Sequence, residues 1–571
     1  MPASRRRNFL ITSACLVLAL FALILVLPLP TVNAAPEAQE LSWLINGQLL
    51  SPQGQPIEAA TISAIVPGAE EPLAETESQE DGGWVLRLDQ LDGNPPTIEI
   101  AHAHYVDQSL RVDADSYERL IQSGGLSLGE QVLERQITPG FWAATIIFVA
   151  VLLLIAFEKL HNTTAALAGL SAVFLVTYVF DNLWPGYYIF SFERALTYIN
   201  WEVIFLVMGM MIVIAVIERT GIFQWMAFQA YRLSRGRTWL LVLILMLITA
   251  VASALLDNFT TMLLMAPISL QIGLALSIDP LALIIPEIMA SNVGGISTLI
   301  GTPTNILIGA YANIGFSDFL LDQTPGVVAA LILMGAYVLY HYRHEWSKHA
   351  GGISTTLYER LETNGRIRDP HALSISGIVF VLILAGFVVG ESYHVVPAVP
   401  ALIGATLLLL WLKPDVHAMI QAVDWTTLVF FMALFIVVGA IQEVGLLGFV
   451  AQWMADVIGG NLPLGILVMV FGVGIFSIAV ANIPLAASFL PIAEFLSGSI
   501  PGAGKALYYA LSMGTAMGGN GFLISAEANL VTAGITRQAD NPISFAEFMK
   551  VGLPVTFLTL LAGFLWLLIR F

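Results

Sequence analysis

From residue 141 onward the chain is a succession of about twelve strongly apolar segments, near 141–158, 164–184, 202–218, 238–275, 281–313, 324–341, 373–391, 396–412, 425–441, 462–498, 504–537 and 551–570. Inside a bilayer no water is available to backbone N–H and C=O groups, so a spanning segment must be a helix or part of a closed barrel. Runs of about 17 to 25 apolar residues choose the helix; barrel strands are shorter and alternate. The segments 238–275, 281–313, 462–498 and 504–537 are too long or too interrupted for one plain span. Only 11% of the residues are charged and 57% are hydrophobic, against about 25% charged in soluble domains. That excludes a soluble enzyme, a disordered protein and a nucleic-acid binder, and the net charge of -18 argues further against polyanionic partners. The expectation is an all-α polytopic membrane protein with one small soluble insert.

Arg5, Arg6 and Arg7 precede an apolar run from about Phe9 to Leu29, and Val32-Asn33-Ala34 offers a small-residue cleavage site. Residues 1–33 are read as a signal anchor, with a removable signal peptide as the alternative. Cys15, the only cysteine, is an apolar position of that run, so neither an intramolecular disulfide nor a Cys-rich metal site is available. Residues 38–137 differ in kind. Asp and Glu there far outnumber Lys and Arg, and turn signals such as Asp81-Gly82-Gly83 and Asp92-Gly93-Asn94-Pro95-Pro96 separate short alternating runs, Thr61–Val66 and Trp84–Leu88 among them. The pattern predicts a small antiparallel β-sandwich. The stretch from Ile45-Asn46-Gly47 to Trp84 resembles the carboxypeptidase regulatory-like β-sandwich. His102 and His104 fall on one strand, and with no third ligand nearby they are expected on a solvated face.

Charge sets a topology. With Arg5–Arg7 inside, the acidic domain lies outside. If 238–275 and 462–498 re-enter and return to the side they came from, the inside loops collect 16 of the 23 basic residues, among them Lys159, Arg235, Arg343, Lys348, Arg360, Arg368, Lys413, Arg537 and Lys550. If both spanned, the loop 342–370 with its five basic residues would face out. The positive-inside rule therefore predicts two re-entrant hairpins in a multi-pass protein of the cell membrane, with a cytoplasmic N-terminus and an extracytoplasmic domain over 38–137.

Shifted by 224 residues, the chain matches itself without a gap: Trp201 meets Trp425, Gly221 Gly445, Ser253 Ser477, Asn258 Asn482, Pro267 Pro491 and Met289 Met513. Gly294-Gly295 meets Gly518-Gly519, Leu299-Ile300 meets Leu523-Ile524, and Asn305 meets Asn529. Trp201 starts a segment running inward and Trp425 one running outward, so the halves, about 200–310 and 424–534 within a permease domain of 140–571, are inverted repeats. That arrangement places binding sites near the midplane, where helices are broken.

Each half offers two polar interruptions. In the first these are Asp257-Asn258-Phe259-Thr260-Thr261 and Ser291-Asn292-Val293-Gly294-Gly295, the latter leading to Gly301-Thr302-Pro303-Thr304-Asn305. In the second they are Ala481-Asn482-Ile483-Pro484, and Gly518-Gly519-Asn520-Gly521 leading to Ser525-Ala526-Glu527-Ala528-Asn529. Unwound backbone at membrane depth is tolerated where it is buried in protein or lines a wet cavity. Carbonyl, Asn, Ser and Thr oxygens suit a hard cation, which makes Asn258, Asn292, Asn482 and Asn520 candidate Na⁺ ligands; helix N-termini suit an anion. Asp257 and Glu527 are the carboxylates inside the motifs, candidates for H⁺ or Na⁺; their counterparts are Ala481 and Pro303. Either acid could instead simply cap a half-helix. Glu287, after Pro286, either reaches the cavity or sits at an interface, and Glu218 and Glu443 read as interfacial. The paired glycines line a ligand or pack helices closely; Asn305 and Asn529, each 11 positions after the first glycine of its pair, favour the former.

From Leu256-Asp257-Asn258-Phe259-Thr260-Thr261 through Pro267, Ser291–Gly295 and Pro303-Thr304-Asn305, and again at Asn482-Ile483-Pro484 and Gly518–Gly521, the chain resembles the arsenite permease, NhaD antiporter and melanosomal P-protein group of the ion transporter superfamily, which also holds citrate and dicarboxylate permeases. The order of anchor, external domain and permease is most similar to the P-protein branch. The resemblance implies an elevator-type secondary transporter, a homodimer in the lipid bilayer, with two re-entrant hairpins and two broken helices. It implies an inorganic ion or small anion as solute, H⁺ or Na⁺ as coupling ion and no further cofactor. Asp257, Asn258, Thr260 and Thr261 would form the first hairpin tip, Asn292 to Asn305 the first break, and Asn482 with Gly518 to Asn529 the matching parts. Ala481 stands where P-protein-like sequences often have an acid, and Glu527 where small residues are usual. A dicarboxylate symporter and a sensor with an external ligand domain remain alternatives. Nothing resembling an HExxH, a GxSxG or a paired catalytic aspartate points to an enzyme.

Overall fold

The computed structural model describes residues 43–52, 54, 56–66, 72–91, 94–156, 160–347, 362–363 and 365–571. The segment read as an anchor, with Arg5–Arg7, Cys15 and Val32–Ala34, lies outside the described residues, as do Lys159, Lys348, His349 and Arg360. The chain divides into two units, residues 1–134 and 135–571.

In the first unit, β1 (Trp43–Leu50), β2 (Thr61–Ile65), β3 (Ala74–Glu77), β4 (Gly83–Leu88), β5 (Thr97–Ala101), β6 (Gln108–Arg111) and β7 (Gly125–Val132) form two sheets, β4-β1-β7 and β3-β2-β5-β6. Alternation works as the sequence implies: Trp84, Leu86 and Leu88 of β4 and Ile98 and Ile100 of β5 point into one core. Two expectations are corrected. The sandwich is not purely antiparallel, because β1 pairs with β7 in parallel. A connection between parallel neighbours needs a crossover, and the chain supplies α1 (Ala114–Ser123) just before β7. Asp113 caps it by accepting from the Ser116 N–H at 2.6 Å, which holds the Asp113 carboxyl below the usual range. Nor are His102 and His104 on a solvated strand: β5 ends at Ala101, and His104 is buried at 1% exposure with the His102 ring edge-on to it.

The second unit is helical. Its helices are α2 (Pro139–Ala156), α3 (Asn162–Leu175), α4 (Trp201–Arg219), α5 (Ile222–Ser234), α6 (Thr238–Leu255), α7 (Asn258–Ala275), α8 (Leu281–Gly294), α9 (Pro303–Ala312), α10 (Phe316–His341), α11 (Pro370–Glu391), α12 (Ala398–Leu412), α13 (Trp425–Glu443), α14 (Leu446–Ile458), α15 (Leu462–Ala479, through a π-helical stretch), α16 (Asn482–Ser499), α17 (Ala506–Gly518), α18 (Glu527–Gln538) and α19 (Phe545–Arg570). Among the described residues, nine helical stretches are long and apolar enough to cross a membrane. Their apolar residues point outward as well as inward, as the surroundings of lipid require. Ile378, Val381 and Leu382 of α11 are exposed.

The repeat is a repeat of structure. Paired helices have equal lengths: 19 residues for α4 and α13, 13 for α5 and α14, 18 for α7 and α16. Gly221 and Gly445 make the same left-handed bend, with φ of 84° and 90°, where L side chains are strained. In the first half α6 and α7 form a hairpin, and α8 and α9 are one helix broken over residues 295–302; in the second, α15 with α16 and α17 with α18 are the counterparts. Each break is closed by packing against its own hairpin. A Cβ on Gly294 would overlap the Ala250 carbonyl oxygen, and one on Gly518 the carbonyl of Gly474, the equivalent residue. These two glycines are therefore close-packing positions, and neither lines a cavity among those described below.

Gly294→Ala and Gly518→Ala are each expected to destabilise the protein by about 1–3 kcal/mol, the usual cost of overpacking. Gly498→Ala, in open space on α16, should leave the melting temperature in detergent unchanged or slightly raised. Equal melting temperatures for all three would contradict the packing.

Candidate functional site

Both breaks are stapled by the same side chain. The Asn305 carboxamide nitrogen donates to the carbonyls of Ile296 at 3.1 Å and Thr298 at 2.8 Å, while Asn529 donates to those of Gly519 at 2.8 Å and Phe522 at 3.0 Å. Gly519 and Phe522 are the repeat equivalents of Gly295 and Thr298. Each staple's oxygen is then held from the opposite half: Ser512 donates to Asn305 Oδ1 at 2.6 Å, and Asn292 donates to Asn529 Oδ1 at 3.0 Å. Asn292 also donates to Asn520 Oδ1 at 2.9 Å and accepts from Asn258 at 3.0 Å. The first hairpin tip, the first break and the second break thus meet in one buried carboxamide cluster. Asn258 and Asn292 are 5% and 1% exposed, and Asn305, Asn520 and Asn529 are fully buried.

The remaining expected residues fall around that cluster. Ser291 donates to the Asn258 carbonyl at 3.2 Å. Thr302 caps α9 by accepting from the Asn305 N–H, and Ser525 donates to the Ile478 carbonyl. The Thr261 and Thr304 hydroxyls are buried and find no partner. Asn482 is buried too, but it stands outside the carboxamide cluster, and among the described residues its side chain makes no hydrogen bond. The reason is in its own half: the equivalent of Asn292 is Ala516.

Asp257 caps α7, accepting from the Thr260 N–H at 2.7 Å, and it also faces a cavity. That cavity, of about 30 Å³, is lined by Asp257, Phe259, Ile300, Pro303, Ile306, Asp424, Thr427 and Glu527 together with α4 side chains. It has room for a water molecule or a bare ion. The first residues or N-caps of four helices, α7, α9, α13 and α18, line it, which brings four positive dipole ends to its wall. Three carboxylates answer them, from Asp257, Asp424 and Glu527. No Lys or Arg lines the cavity among the described residues.

Asp424 was not visible as a site residue in the sequence. It caps α13, accepting from the Thr426 and Thr427 N–H groups and from the Thr427 hydroxyl at 2.6 Å. The signal was available: Asp424 is the repeat equivalent of Asn200, immediately before the paired tryptophans, so one half puts a carboxylate where the other has a neutral cap.

The small cavity continues into a vestibule of about 1010 Å³ that shares Phe259, Asp424, Thr427 and Glu527 with it and opens beside Leu160–Thr163 and Gln421–Thr426. On the far side, at the Glu202 end of α4, lies a separate cavity of about 450 Å³ lined by Leu206, Leu299, Asn313, Asp318, Glu391 and His394. Ile306 borders both the small cavity and this second one. Glu443, expected at an interface, accepts from Arg194 at 3.3 Å and from the Tyr198 hydroxyl, away from both cavities.

The sequence pattern of the citrate transporter family matches residues 152–514. An uncharacterized transporter of Mycobacterium bovis is 36% identical over 434 residues, covering 74% of this chain and 97% of that protein. An uncharacterized transporter of Synechocystis sp. is 33% identical over 435 residues, covering 72% of this chain and 93% of the other. The P protein of Homo sapiens is 30% identical over 556 residues, 83% of this chain and 64% of that protein. Among solved structures, the Alcanivorax borkumensis YdaH transporter aligns over 74% of this chain and 97% of its own at 14% identity with a TM-score of 0.47. Neisseria gonorrhoeae MtrF aligns over 76% and 95% at 12% identity with a TM-score of 0.48.

Asn292→Ala removes three hydrogen bonds between helices. At about 0.6 kcal/mol for each such bond in a membrane protein, the protein should lose about 2 kcal/mol of stability in thermal unfolding. Asn482→Ala, which removes no hydrogen bond, should lose less than half of that.

Proposed function

Because the chain belongs to the citrate transporter family, we propose that it is a secondary active transporter that moves an inorganic ion or small anion coupled to H⁺ or Na⁺ by an elevator-type mechanism. It is a transporter, not an enzyme, and a multi-pass protein of the lipid bilayer. The observation that carries the finer reading is the narrow cavity with three carboxylates and no fixed cation. A cation or proton is the species such a wall attracts, and each carboxylate that takes one up frees part of a helix N-terminus for an anion beside it. Asp257 and Glu527 belong to the stapled block of hairpins and breaks, whereas Asp424 begins α13, which stands outside it. A coupling ion between them would therefore join the moving block to its frame.

The charge-based topology makes the vestibule cytoplasmic, since Leu160–Thr163 and Gln421–Thr426 lie at the inner ends of their helices. In this reading the chain is inward-facing, and Leu206, Leu299 and Ile306 separate the coupling site from the outside. The hydrogen bonds that tie the first hairpin tip to both breaks support movement of that block as one body. A dicarboxylate symporter is the second reading, favoured by the four convergent N-termini.

The purified full chain, screened for thermal shift against Na⁺, chloride, arsenite, sulfate and dicarboxylates, should be stabilised by its solute, since a ligand that prefers the folded state raises its stability by mass action. In proteoliposomes loaded with the stabilising solute, Asp257→Asn and Asp424→Asn should each reduce ion-driven uptake or exchange to the background of empty vesicles, with the melting temperature retained. Full transport by either variant would remove that carboxylate from the coupling site.

A further inference from the structure

Glu287 sits in the middle of α8 and is fully buried. It lies between the two arms of the first hairpin: Ser269 of α7 donates to its Oε2 at 2.9 Å and Thr249 of α6 at 3.5 Å. Its other oxygen, Oε1, is buried and has no hydrogen-bond partner among the described residues. It lines none of the cavities described above. The hairpin arms α6 and α7 carry no charged side chain. The other helices packed against α8 carry Asp318, Asp322, Tyr337, Tyr340 and His341 on α10, Tyr508 and Tyr509 on α17, Glu527 and Arg537 on α18, and Glu547, Lys550 and Arg570 on α19. None of these forms an ion pair or hydrogen bond with Glu287 among the described residues.

The repeat supplies an internal control. At the positions equivalent to Thr249, Ser269 and Glu287 the second half has Val473, Ala493 and Leu511, all buried at 1% exposure or less. The fold is satisfied at this depth by ordinary apolar packing, and the second half uses it. The first half instead buries a carboxylate and two hydroxyls together, and still leaves one carboxylate oxygen open. An ionised carboxylate buried without a counter-ion is strongly disfavoured in such a place. The three polar residues are a set, and packing does not require them.

We propose that Glu287, with Ser269 and Thr249, is a proton-binding site of its own, separate from the cavity of Asp257, Asp424 and Glu527. The proton binds on Oε1 and comes from the aqueous phase, while the two hydroxyls hold Oε2 in place. Thr249 and Ser269 both donate to the same carboxylate oxygen, an arrangement that suits a proton on the other oxygen rather than a sodium ion. The site lies one helical turn along α8 from Ser291, whose hydroxyl holds the carbonyl of Asn258 at the hairpin tip. Loading and release of the proton therefore act where the hairpin arms pack on α8.

Infrared difference spectroscopy tests this on the full chain in lipid at neutral pH, without any solute, so the outcome is independent of what is transported. Wild type minus Glu287→Gln should show the carbonyl band of one neutral carboxylic acid, shifted in D₂O. The triple variant Thr249→Val, Ser269→Ala, Glu287→Leu, which installs the apolar set of the second half, should fold and lack the same band. If only ionised-carboxylate bands are lost in these differences, Glu287 holds no proton and the proposal fails. Disappearance of the acid band on adding Na⁺ at constant pH would equally overturn the assignment to a proton.

Discussion

A helix interrupted inside an apolar bundle leaves carbonyls and amides that no water can reach, and everything at the centre of this protein depends on how those groups are satisfied. Two asparagines do most of it. Asn305 and Asn529 reach back across their own breaks to the carbonyls the missing helical turns have abandoned, and each is held in turn by a side chain from the other half. The two grips cross over, so each break is closed with the help of a side chain from the other half. Glycine is needed beside them for a different reason: the broken helices must approach the hairpin backbone more closely than a methyl group allows.

Breaking helices also creates helix ends, and ends carry charge. The breaks bring the first residues of α9 and α18 to the narrow cavity, and the hairpin tip and the start of α13 bring two more helix ends. Asp257 and Asp424 are thus N-caps and cavity walls at once. The two descriptions of Asp257 available from sequence, a cap or an ion carrier, are not exclusive: one carboxylate oxygen accepts the backbone hydrogen bond while the side chain remains partly exposed to the cavity.

Much of this was legible in the order of residues. The 224-residue register rests on Trp, Asn, Pro and paired Gly, which an apolar chain does not match by chance, and it predicted helices that prove equal in length. Asn258, Asn292, Asn305, Asn520 and Asn529 stand out because amides are costly in a membrane unless they find hydrogen-bond partners. What was hidden depends on three-dimensional neighbours. Asp424 lies at the end of an ordinary span, and nothing local separates it from an interfacial acid. Gly294 and Gly518 carry no sign of whether they face a ligand or a neighbouring backbone. In the first unit, local alternation revealed the strands, but the parallel pairing of β1 with β7 is a long-range choice between residues some eighty positions apart.

The matched hydrogen bonds of the two halves have one more implication. In the transport cycle proposed above, a molecule assembled from two similarly shaped halves would reach a second form when each half takes up the other's posture, closing the vestibule and opening the cavity beside Glu202. In that cycle the populations of the two forms would depend on the positions where the halves disagree. Asn292 against Ala516, Asp424 against Asn200, and Glu287 against Leu511 are among those positions, so the differences between the halves include the groups proposed to bind the coupling ion or a proton.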